Sequence, residues 1–168
     1  MTLLDRLLRR PAVPGWLGPL LEEDEFVLVT ARAADGTVVA TSHGVWLPEQ
    51  RRIGWHLVSK ATWAAGTLTL IEAVEEPLGG AALLSDRPER RLSLADPGKL
   101  PQTVQRRVED SIRSRHRRDL PGGGVWLVQR KLPGKARVVL QVRPDPGTDA
   151  DAVRRVVAEV TRTIGLDH

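Results

Sequence analysis

The chain has 168 residues, 41% of them hydrophobic and 27% charged, with a formal charge of +4 and no cysteine. This length and balance fit one globular domain that buries roughly two-thirds of its unfolded surface. They exclude a disordered chain, a disulfide framework, thiolate metal sites and cysteine nucleophiles.

Residues 1–24 precede the first expected strand. Thr2, with Asp5 three positions on, resembles a capping box opening a short helix through Arg9. Leu3, Leu4, Leu7 and Leu8 are expected to dock on the body, since two helical turns bury little area in a lipid interface. Asp5, Arg6, Arg9 and Arg10 interrupt them, so the continuous apolar run of a secretory signal is missing, and the cytoplasm is the expected compartment. No stretch approaches the ~18–20 apolar residues of a membrane span. Pro11, Pro14 and Pro19 limit the next segment to turns, with one helical turn at 16–21.

Strands are expected at 26–33 and 37–47, joined through Asp35-Gly36, where a type I′ turn needs positive φ at both central residues. After a turn at 48–51, residues 52–58 alternate Ile53, Trp55 and Leu57 against polar positions. The segment 63–74 reads as a hairpin turning at Ala65-Gly66. Leu83-Leu84 and 90–95 read as one interrupted strand or two short ones. Leu100, Val104, Val108 and Ile112 form a narrow helical stripe, while Val108, Asp110, Ile112 and Ser114 fit a period of two. Pro101 suits a helix start, so the reading is helix to about Asp110 and extended chain to Leu120. Pro121 and three glycines then break the chain before a last hairpin, 125–131 and 137–143. Thr148 is placed to cap a closing helix, with Asp149 and Asp151 at its positive end. Val153, Val156, Val157, Val160 and Ile164 share one face of it.

About seven antiparallel strands closed by a C-terminal helix resemble the pleckstrin-homology superfold. The residues that carry the likeness are the Asp35-Gly36 hairpin, Ile53 and Trp55 leading to Trp63 and Ala65-Gly66, and the helix 149–164. It is a likeness of element order over 26–164. It implies an α+β antiparallel barrel or sandwich with a capping C-terminal helix, in which the helix near 101–110 is an insertion. Phosphoinositide-binding members carry a basic cluster in the first hairpin, where this chain has only Arg32. The expected organisation is a segment 1–24 docked on one domain, 25–168.

No hydrolase, zinc-protease, phosphate-loop or dinucleotide signature is present, and the sequence implies no enzyme, no cofactor and no metal. Of the four histidines, at 43, 56, 116 and 168, His43 and His56 lie on neighbouring expected strands but lack a third ligand at a suitable spacing, and solvent-facing strand histidines are the expectation. Trp46, Trp55, Trp63 and Trp126 fall on expected strands and are read as core, because the chain has one Phe and no Tyr. Glu22, Glu23, Asp24 and Glu25, and again Glu72, Glu75 and Glu76, read as solvated edges.

Arginine outnumbers lysine 21 to 4, a usage that suits contacts to phosphate or carboxylate and that GC-rich coding also produces. Arg106, Arg107, Arg113, Arg115, Arg117 and Arg118 stand against Glu109 and Asp110, a balance of +4 that equals the charge of the whole chain. They are the candidate anion or partner surface; an edge strand guarded by its own charges is the competing account. The expected function is a non-catalytic interaction or scaffold domain with a protein partner. The alternative is a nucleic-acid-associated accessory protein that uses residues 106–118.

Overall fold

Short alternating runs separated by turn residues produce eleven strands rather than about seven. The computed structural model describes residues 13–165, so the expected helix through Arg9, its leucines and His168 lie outside the described residues. A four-stranded antiparallel sheet runs β1 (Val27–Ala33), β2 (Gly36–Thr41), β3 (Gly44–Trp46) and β4 (Arg52–Gly54) in that order. The expected strand 37–47 breaks at Ser42-His43 because the Thr41 hydroxyl accepts hydrogen bonds from the His43 and Gly44 backbone N–H groups at 3.1 and 3.2 Å. The expected strand 52–58 likewise ends at Gly54, and Trp55–Leu57 forms a 3₁₀ turn.

The first hairpin exists, but its turn differs from expectation. Ala33 pairs with Gly36, which leaves Ala34-Asp35 as the loop, and neither takes a positive φ. The positive pair is instead Ala65 and Gly66, at φ 50° and 75°, between β5 (Val58–Ala64) and β6 (Thr67–Leu78).

β6 bends the sheet. Its first half pairs with β5 on one side and β8 (Arg90–Ser93) on the other, and its second half pairs with β7 (Ala81–Asp86). β8 reaches back to β1 through an Ala33–Leu94 bridge. The result is a curled half-barrel. From β7 the sheet continues through β11 (Val138–Pro144) and β10 (Gly123–Lys131) to β9 (Ile112–Leu120) at its edge. The β7–β11 pair is parallel, so the sheet is mixed rather than antiparallel throughout.

There are two main cores. In the first, Leu100, Val104 and Val108 of helix α1 (Leu100–Asp110) pack among Val38, Ile53, Trp55, Leu68 and Leu92. The helix read as an insertion is thus the plug of the half-barrel. In the second, Val153, Val156 and Val157 of helix α2 (Ala150–Ile164) pack on Val125, Leu127, Leu140 and Val142. Asp149, not Thr148, caps α2, accepting from the Ala152 N–H. The Thr148 hydroxyl donates to the Gly124 and Asp145 carbonyls. Leu17 is fully buried against Val39 and Trp46, beside a 3₁₀ turn at Gly18–Leu20. No helix among the described residues is long and apolar enough to cross a membrane.

Candidate functional site

The six arginines of the candidate surface separate onto three faces. The buried stripe of α1 turns Leu100, Val104 and Val108 inward, which leaves Arg106 exposed and Arg107 half-buried on its outer side. Along β9 the pleat sends neighbours to opposite sides. Arg115 and Arg117 stand opposite Val128 and Trp126, whereas Arg118 stands opposite Val125, on the face that α2 covers. Arg113 sits at a register shift beside Gln129 and Arg130.

Carboxylates meet three of the six. Arg117 donates to both oxygens of Asp145 and lies 5.6 Å over the Trp126 ring. The same guanidinium holds the Asp145 carboxyl below its ordinary range. Arg118 donates to Glu159 of α2 at 3.2 and 3.3 Å, and Arg115 lies 3.5 Å from Glu109. Arg106, Arg107 and Arg113 make no ion pair among the described residues. Trp126, expected in the core, is 40% exposed because its side of β10 has no helix over it. Trp46 and Trp55 are buried and Trp63 is half-buried.

Arg130, which sequence reasoning passed over, is buried on the Trp126 side of β10 with no carboxylate partner. Its guanidinium donates to the Trp55 carbonyl at 2.6 Å, to the Val58 carbonyl and to the Ser111 hydroxyl. Burial pushes its pKa down to about 10, and the charges of Arg115 and Arg143 push the same way. This side chain ties β10 to the 55–58 turn and to the end of α1. A lone arginine near a strand end carries no sequence signal for that role.

A second constellation lies in a cleft of about 400 Å³ lined by Glu22, His43, Arg52, His56 and Lys135 among others. Glu25, expected on a solvated edge, is buried. Its carboxylate accepts from the Thr41 hydroxyl at 2.5 Å, the Trp46 indole at 3.0 Å, the Glu22 backbone at 3.1 Å and Arg52 at 2.6 Å. Burial pushes its pKa up, but these hydrogen bonds and the Arg52 charge outweigh it and hold the group ionised below its ordinary value. Glu22 is also lowered, chiefly by its hydrogen bond from Arg52.

His43, expected to face solvent, is 3% exposed in the turn between β2 and β3. Its Nδ1 lies 3.5 Å from a Glu22 oxygen and its Nε2 lies 3.5 Å from an Asp24 oxygen. Glu22, Asp24 and His43 thus offer three ligand atoms within 4.8 Å of one another. His43 and His56 both line the cleft, but the clustered ligand atoms are those of His43 and of two carboxylates from the acidic run some twenty residues upstream.

His56 is half-buried, with a buried Nδ1 that has no hydrogen-bond partner. Burial, aided by the charges of Arg130 and Arg52, lowers its pKa to about 4 from an ordinary 6.5. Between those values the unfolded chain binds more protons, so stability should fall as pH drops from about 6.5 to 4, by at most about 3 kcal/mol. Urea unfolding at stepped pH should show a shallower fall in His56→Gln, and identical slopes would remove His56 as the cause.

No family model, curated protein or solved structure matches this chain.

Proposed function

We propose that the protein is a non-catalytic interaction domain that takes an extended acidic segment of a protein partner along β9. The observation that carries this reading is a nine-residue strand, Ile112–Leu120, paired on one edge only among the described residues and bearing arginines on both faces. An edge strand offers a row of backbone donors and acceptors to an incoming strand. Arginine on both faces opposes pairing with a second copy, and Arg115 and Arg117 on one face favour a strand with carboxylates at alternate positions. The cysteine-free composition supports a cytoplasmic setting. The curled sheet and C-terminal helix support a likeness to the pleckstrin-homology superfold, from which the parallel β7–β11 pair and α1 depart. Such a scaffold hosts many functions and adds no weight to any one of them.

The nucleic-acid reading draws on Trp126, an exposed ring flanked by Arg117 on the helix-free face. It is the weaker of the two, because Arg118 points to the opposite face from Arg115 and Arg117, which divides the charge that a phosphate backbone would track. A labelled peptide of alternating Glu and Val should bind at least about tenfold more tightly than its Gln counterpart at low salt. The triple change of Arg113, Arg115 and Arg117 to Gln should abolish that difference with little loss of stability, because solvent-exposed ion pairs add little to folding. Equal binding of the two peptides overturns the strand-addition reading. RNA or duplex DNA binding with a log–log salt slope of roughly −3.6 or steeper, lost in the triple variant, would put the nucleic-acid reading in its place.

A further inference from the structure

We propose that Glu22, Asp24 and His43 bind a divalent transition-metal ion, Zn²⁺ in the first instance, at the wall of the cleft. Two ligands of one ion stand no farther apart than twice the metal–ligand distance, about 4.0–4.8 Å for bonds of about 2.0–2.4 Å. The three ligand atoms meet that limit pairwise. Carboxylate proximity alone is common on surfaces, so the inference leans on two further observations.

The first is the imidazole itself. The His43 side chain is 4% exposed, yet neither ring nitrogen makes a hydrogen bond among the described residues. Its nearest polar neighbours are the two carboxylates, at 3.5 Å on either side. No donor among the described residues occupies the lone pair of its unprotonated nitrogen, which is therefore open to a cation. A bound cation supplies the missing partner for a ring nitrogen and for both carboxylates together.

The second is Gly134, in the loop between β10 and β11, at φ +71°. A Cβ there would stand 2.5 Å from His43 Nε2 and 3.0 Å from Asp24 Oδ2. Any side chain there would collide with both groups, so the glycine keeps them uncovered. Glu22 is divided to match: Arg52 donates to its Oε1 at 2.6 Å, while Oε2 is the oxygen that faces His43. Glu25 lies 4.0 Å from Nδ1 and adds a third carboxylate to this wall of the cleft.

One imidazole with two carboxylates suits Zn²⁺ or Mn²⁺ rather than Ca²⁺, which prefers six or more oxygens. Three protein ligands leave the fourth position of a tetrahedral Zn²⁺ site open to water.

The test uses the whole chain, stripped with EDTA and titrated with ZnCl₂ in a calorimeter near neutral pH. One ion should bind with a Kd of about 10 μM or tighter, Mn²⁺ should bind more weakly, and Ca²⁺ should give no heat. Asp24→Asn is the decisive variant, because that side chain is 61% exposed and its loss should leave the melting temperature of the metal-free protein unchanged. It should weaken Zn²⁺ binding at least tenfold, as should Glu22→Gln. Co²⁺ should give a visible d–d absorption band in the native protein that Asp24→Asn loses. The proposal is overturned if Zn²⁺ does not bind. It is equally overturned if Zn²⁺ binds and neither variant changes its affinity, which would place the ion on surface histidines such as His116.

Discussion

Val157→Asp is expected to destabilise the protein by several kcal/mol, on the order of 3–5, through a buried carboxylate with no partner. Val157 is 2% exposed and packs with Val125, Leu127, Leu140 and Val142. Arg155, two residues earlier on the same helix, is exposed, and its guanidinium lies 4.0 Å from Asp149. Arg155→Asp should therefore change stability by less than about 1 kcal/mol. Chemical denaturation of the two variants side by side separates them, and equal midpoints would show that α2 does not pack by its valine face.

The second large effect belongs to Arg130. Arg130→Ala removes the donors that satisfy the Trp55 and Val58 carbonyls and the Ser111 hydroxyl, and leaves a cavity between the two cores. The expected loss is about 3–5 kcal/mol. Arg130→Met refills the volume and relieves the burial of a cation that no carboxylate compensates, so it should lose less than half as much. A loss below about 1 kcal/mol in the alanine variant would mean that those carbonyls find water instead.

What the sequence makes legible here is what neighbours in the chain decide. Alternation located most of the strand segments, and the spacing of Val153, Val156, Val157, Val160 and Ile164 marked the buried face of α2. The narrow stripe at Leu100, Val104 and Val108 correctly favoured a helix, but nothing local distinguishes a helix that decorates a barrel from one that fills it. Turn chemistry misled at Asp35-Gly36, where the strand pairing placed the loop one residue earlier. The larger omissions concern polar groups whose partners are distant. Glu25 is buried because positions 41, 46 and 52 supply its donors. The arginine cluster loses part of its free charge because Asp145 and Glu159 arrive from 28 and 41 residues away. A charge count along a segment is blind to both.

The parallel pairing of β7 with β11 has a consequence for synthesis. Every buried member of the first core lies between Ala31 and Val108, so the half-barrel has all its parts once α1 has left the ribosome. The edge of β7 must then wait for its partner strand, since Ala82 and Leu83 pair with Gln141 and Val142. Counted from the synthesis of β7 itself, the wait spans about sixty residues, or roughly 3–12 s at ordinary elongation rates. Throughout it the nascent chain presents an open strand edge carrying Ala82, Leu83 and Leu84, of the kind that chaperones cover and that aggregates recruit. Truncations ending shortly after residue 110 should therefore hold a closed first core and still be sticky at β7.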